Sequence, residues 1–128
     1  MRQKDACVTY EDFNKFCGSL SATSYVVQWG NSHVWKVGGK VFAIGGWEKS
    51  NNPAFTFKTS ENNFEVLSDQ PGFRPAPYMA SRGMKWIQQY DAPKEHDENL
   101  EYYINESHRI VSLGLTKKKQ KELDLNQK

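Results

Sequence analysis

The side chains in this chain that could do chemistry are three histidines, two cysteines, scattered carboxylates, and a set of cations interleaved with aromatics. His33, His96 and His108 share no metal-ligand spacing, and there is no HExxH, zinc-finger pattern or Cys/His cluster, so no metal is expected. Gly38-Gly39-Lys40 runs into Val41 without the earlier glycine of a phosphate-binding loop, and neither GxGxxG nor GxSxG occurs. Glu11 and Asp12 are adjacent acids explained by a helix start, which leaves no carboxylate pair placed for general acid and base work. The expectation is a protein that is not an enzyme and has no cofactor. Cys7 and Cys17 form no CxxC pair and read as reduced thiols, Cys17 packing as a small apolar residue. Asn105-Glu106-Ser107 matches a glycosylation pattern but sits within a helical repeat and carries no weight.

What remains is basic and aromatic. Lys36, Lys40, Lys58, Arg74, Arg82 and Lys85 fall on strands or turns that also carry Trp35, Trp47, Tyr78 and Trp86. Nucleic-acid binders use both types, cations against phosphates and aromatic rings against bases. The competing explanation is that the rings form the core and the lysine stems lie over them, which is the preferred reading for Trp35 and Trp86. The formal net charge of +2 conceals an uneven distribution. Residues 36–85 carry +3, residues 86–115 carry −4, and residues 116–128 carry +3, an asymmetry able to orient a protein on a polyanion.

These groups must be positioned by elements that the patterning makes legible. At 128 residues the chain is one domain's worth, and its 13% aromatic content points to a core built largely from rings. Thr9 and Asp12 read as a capping box opening a helix to about Leu20, with Phe13, Phe16, Cys17 and Leu20 on one face. Period-two, β-branched and aromatic stretches at 25–29, 33–37, 40–45 and 54–58 predict four strands. Gly38-Gly39 is a two-residue hairpin turn, which puts Lys36 and Lys40 on paired strands beside it. Phe55 and Phe57 against Thr56 and Lys58 suggest one buried and one wetter face. A short helix over 60–69, an edge segment over 74–79 marked by Pro75 and Pro77, and a strand over 85–90 follow. A helix opening at Asp97 carries Leu100, Tyr103, Ile104, Val111 and Leu115 as its apolar stripe, with Gly114 as its stop. Residues 116–128 read as a short extra helix or a frayed tail. The order predicts an α+β fold, a mainly antiparallel sheet with N- and C-terminal helices packed against it. The domain is expected over residues 1–115, with 116–128 as a Lys-rich C-terminal tail.

At Val34-Trp35-Lys36-Val37-Gly38-Gly39-Lys40-Val41-Phe42-Ala43, at Phe57-Lys58-Thr59-Ser60, and from Phe73-Arg74-Pro75-Ala76-Pro77-Tyr78 to Trp86, the sequence resembles the MmcQ/YjbR family. The resemblance covers about residues 7 to 115. It implies the double-wing α+β fold related to the frataxin homologue CyaY, and it implies DNA binding. Frataxins bind iron through an acidic ridge on and after the first helix, whereas this helix offers only Glu11 and Asp12 beside Lys15, so iron is not expected. The site residues expected for nucleic acid are Lys36, Lys40, Lys58, Arg74, Arg82 and Lys85, chosen by charge. Contact should be weak and directed at phosphates, since no recognition helix with base-reading side chains is visible. The alternative is a protein- or small-molecule-interaction module using the exposed sheet face or edge. No apolar run is long enough for a membrane span, and the N-terminus leads into no signal stretch, so a cytoplasmic monomer or weak dimer is expected.

Overall fold

The computed structural model describes residues 9–46, 53–77, 84–90 and 99–127. Within them the chain runs α1 (Tyr10–Gly18), β1 (Thr23–Gln28), β2 (Ser32–Val37), β3 (Lys40–Gly45), β4 (Phe55–Lys58), α2 (Glu61–Ser68), β5 (Phe73–Pro75), β6 (Trp86–Gln89), α3 (Leu100–Leu113) and α4 (Lys117–Glu122). The strands form one six-stranded sheet in the order β1-β2-β3-β4-β6-β5, every neighbouring pair antiparallel. The fold is the expected α+β.

Local chemistry sets the element ends. The Asp12 N–H donates to Thr9 Oγ1 at 3.1 Å, and the Asp12 carboxylate accepts from the Thr9 N–H, completing the capping box that starts α1. Ser60 caps α2 through the Asn63 N–H at 3.2 Å. β1 starts at Thr23 and stops before Trp29, because Trp29, Gly30 and Asn31 all take positive φ (54°, 74° and 70°) and form the turn into β2. β5 is three residues long and lies at the sheet edge, where Pro75 withholds no ladder bond from a further neighbour. The expected start of the last helix at Asp97 lies outside the described residues; α3 is described from Leu100.

Helices α1 and α3 cover one face of the sheet. Tyr25, Trp35, Ala43, Phe57 and Ile87 stand in register on that face from β1 to β6, with Phe55 in the next row. Phe13 packs on Phe55 at a ring separation of 5.1 Å, and Phe57 stacks on Tyr103 of α3 at 5.5 Å. α1 packs tightly on Gly45, where a Cβ would lie 2.8 Å from the Phe13 ring. Trp35 is core, as preferred, and its Nε1–H donates to Asn14 Oδ1 at 2.9 Å. Cys17 is fully buried among these rings, and burial pushes its thiol pKa well above the ordinary range.

The other face departs from the alternation read in the sequence. Val26, Val34, Ile44, Thr56, Gln88 and Arg74 stand in one row across the whole sheet. Val34, Ile44, Thr56 and Gln88 are fully buried, so the face expected to be wetter is closed at its centre. Polarity at Thr56 signals register there, not solvent. Its hydroxyl has no hydrogen-bond partner among the described residues.

One side chain joins the helix layer to the sheet backbone. A register shift between Trp35 and Lys36 disturbs the β2–β3 ladder, and β3–β4 pairing stops at Ala43 and Phe57. Just beyond, buried Ser107 of α3 donates to the Phe42 carbonyl at 2.6 Å and accepts from the Lys58 N–H at 2.8 Å. Ser107→Ala strands both backbone groups and is expected to cost ~2–4 kcal/mol of stability. Urea denaturation checks this, and a loss below ~1 kcal/mol would show that the hydroxyl is dispensable.

Candidate nucleic-acid interface

The β2–β3 turn is the two-residue hairpin turn expected, with φ of 57° at Gly38 and 89° at Gly39. Its register pairs Val37 with Lys40 and Lys36 with Val41. Lys40 therefore shares the face of core residue Val37, the side of α1 and α3, while Lys36 belongs to the opposite face. The two hairpin cations flank one turn but do not act from one side of it.

The turn acquires further cations from the C-terminal segment. Thr116 caps α4 by accepting from the Lys119 N–H at 3.1 Å. Gln120 turns inward and its Nε2 donates to the Leu115 carbonyl at 2.9 Å, while Asn126 Nδ2 donates to Gln120 Oε1 at 2.9 Å and Ser112 Oγ at 3.1 Å. Leu115 and Leu125 are buried in the main core, with Leu123 packed against it. Packed core thus continues past residue 115 to Leu125. A Cβ on Gly38 would stand 2.6 Å from Leu115 Cδ1 and 3.2 Å from Leu123 Cδ1, so the turn is the seat on which α4 rests. Lys117, Lys118, Lys119 and Lys121 are all exposed. A six-residue helix is only ~9 Å long, so each lysine stays within ~15 Å of the turn that carries Lys40.

A cleft of about 190 Å³ opens where β3 and β4 part, lined by Lys40, Val41, Lys58, Met84, Trp86 and the α3 residues Ile110, Val111 and Gly114. It unites two of the expected cations, Lys40 and Lys58, with Trp86. Arg74 and Lys85 lie toward the β5–β6 side. The Arg74 guanidinium donates from Nε at 2.9 Å and Nη2 at 2.7 Å to Gln88 Oε1 and sits 4.7 Å over the Tyr90 ring. Lys85 holds its ammonium 5.0 Å over the Phe64 ring. Arg82, Trp47 and Tyr78 lie outside the described residues. The basic set therefore divides into Lys40 and Lys58, which line one cleft, Lys36, which is not among its lining residues, and Arg74 and Lys85, engaged with neighbouring side chains.

A second, polar cleft of about 290 Å³ lies between α3 and the C-terminal segment. His108 Nε2 is 2.8 Å from the Ser21 carbonyl, and Arg109 pairs with Glu106 at 2.9 Å. That hydrogen bond holds the Glu106 carboxyl below its ordinary pKa. Among the described residues no group of His, Cys, Asp and Glu could hold a metal ion, and no helix is long and apolar enough to cross a membrane.

The extra helix read as one alternative for the Lys-rich end is α4, while its seat on the hairpin turn is not legible from the charge pattern. The available signal was Leu115, Leu123 and Leu125 around a Thr116 cap. The seat itself is testable. Gly38→Ala meets both a left-handed backbone and a clash with Leu115, and should cost ~2–4 kcal/mol. Gly39→Ala, with nothing within 4 Å of its new Cβ, should cost only the backbone contribution of ~1 kcal/mol. Equal losses in thermal or urea unfolding would show that α4 does not rest on the turn.

The YjbR family model matches residues 18–110, from the end of α1 into α3. A Deinococcus radiodurans protein with a DUF419 domain has a crystal structure similar to this one, with a TM-score of 0.76 at 23% identity over 91% of this chain and 88% of that one. A Pseudomonas syringae protein of known structure is similar with a TM-score of 0.64 at 14% identity, over 80% of this chain and 98% of that one. At such identities the likeness is one of fold. No curated protein matches the chain. The matched span takes in the whole sheet and most of α3 but stops before α4, and on that span the chain belongs to the YjbR family.

Proposed function

We propose that the chain binds nucleic acid, duplex DNA first, through phosphate contacts from Lys40 and the α4 lysines, with Lys58 beside them. The observation that carries this reading is the seating of α4 on Gly38 by Leu115 and Leu123, which adds four exposed lysines to the turn. Charges this close act together on a polyanion, since their spacing is comparable with the ~8–10 Å screening length of ordinary buffers. The reading includes no base recognition. The exposed side chains of α4 are lysines and one glutamate, while its amide residue Gln120 is turned into the fold. Lys36 faces the other way and contributes little. No catalytic step belongs to this reading.

The test is fluorescence anisotropy of a labelled duplex and a labelled single strand across salt concentrations. Log affinity for duplex should fall against log salt by about 0.9 per phosphate contacted. Lys40→Gln with Lys118→Gln and Lys119→Gln should weaken duplex binding at least ~10-fold and flatten the slope by ~2–3, while Lys36→Gln changes neither. An unchanged slope in the triple variant overturns the assignment.

A further inference from the structure

Among the described residues β1 is the outermost strand on its side of the sheet, and three of its side chains are exposed: Tyr25 at 45%, Val26 at 36%, Val27 at 48%. Thr23–Gln28 contains no charged residue and no proline, the usual devices by which an edge strand refuses partners. The Gly38 N–H donates to the Ala22 carbonyl at 3.2 Å, which sets the phase of the β1–β2 ladder. Bonds to β2 then fall on Ser24, Val26 and Gln28, and the N–H and C=O groups of Thr23, Tyr25 and Val27 point outward. The Tyr25 ring is already held in place. Its hydroxyl lies 2.8 Å from His33 Nδ1, and its ring packs on Trp35 at 5.0 Å.

We propose that β1 pairs antiparallel with β1 of a second copy of this chain, about a two-fold axis at Tyr25. Thr23 of each copy then faces Val27 of the other, Tyr25 faces Tyr25, and ~6 backbone hydrogen bonds close the pair. Three features of the molecule select a second copy. The segment is neutral, so nothing on it repels its own image. The opposite edge is the three-residue β5 ending in Pro75, too short to receive β1, so the contact closes as a dimer and does not propagate as a filament. Antiparallel pairing also sends the two basic turns to opposite ends of a six-residue strand pair. At ~3.4 Å per residue they stand ~20 Å apart, beyond the screening length.

Sedimentation equilibrium of the full chain should show a reversible dimer with a dissociation constant of order 10–1,000 μM, as suits an interface smaller than ~1,200 Å². Amide exchange on the unaltered chain should slow at Thr23, Tyr25 and Val27 as protein concentration rises, with Ser24 and Val26 unaffected. Val27→Pro removes an outward N–H from each copy and no bond to β2, and should weaken the dimer ~30-fold. Val27→Lys should weaken it at least ~10-fold with the far-ultraviolet circular dichroism unchanged, which covers the case of a proline variant that fails to fold. A monomer at all concentrations overturns the proposal. So does a dimer indifferent to both substitutions, or concentration-dependent protection at other amides.

Discussion

The fold depends on one hydroxyl placed where two strands separate. Ser107 supplies an acceptor to Lys58 and a donor to Phe42 at the point where the β3–β4 ladder ends, replacing the backbone partners those groups have lost. The same pair of bonds fixes the position of α3 along the sheet. With Ser107 pinned, Tyr103 and His108 on its two sides meet Phe57 and Phe42, and the C-terminal end of α3 arrives beside the hairpin turn. The position of Leu115, the seat of α4 and the cleft between Lys40 and Lys58 all follow from that placement. The opening between the strands is thus a built feature, closed on one side by α3 and unavailable to water at Ser107 itself.

The opposite face of the sheet shows how the fold holds the Arg74 cation at its edge. Across the row from Val26 to Arg74 the side chains change from aliphatic to polar, and Gln88 is the hinge of that change. Its carbonyl oxygen receives two N–H groups of Arg74, whose plane also lies over Tyr90. Gln88 and Tyr90 hold the guanidinium by geometry, through a forked hydrogen bond and a ring face. Those bonds fasten β5 to β6.

The fold was largely readable because its signals are local. The Thr9 and Asp12 capping box, the Gly38-Gly39 turn, the prolines at the β5 edge and the Gly114 stop each act within a few residues and appear where the sequence placed them. What escaped reading is non-local. Thr56 alternates with phenylalanines as a surface residue would, yet it is buried, because burial on that face depends on what covers the sheet and not on strand period. The hairpin cations were grouped by proximity in sequence, but the register of a single pair, Val37 with Lys40, sends Lys36 to the other side. Of the six cations named from charge, Lys40 and Lys58 come together in the cleft, and the lysines that join Lys40 lie some eighty residues further along the chain. Sequence spacing carries no information about that meeting; the leucines around Thr116 do.

The helix that rests on Gly38 is flanked by leucines that pack inward and carries ammonium groups around its outer side. Those ammonium groups repel one another, and the leucine contacts hold them together against that repulsion. An anion laid across the lysines relieves the repulsion, so it must also tighten the leucines, whichever anion it is. Ligand and core are thermodynamically linked through a single turn and a half of helix. The end of the chain should therefore be the most salt-responsive part of the molecule, firm in a polyanion's company and looser in dilute buffer.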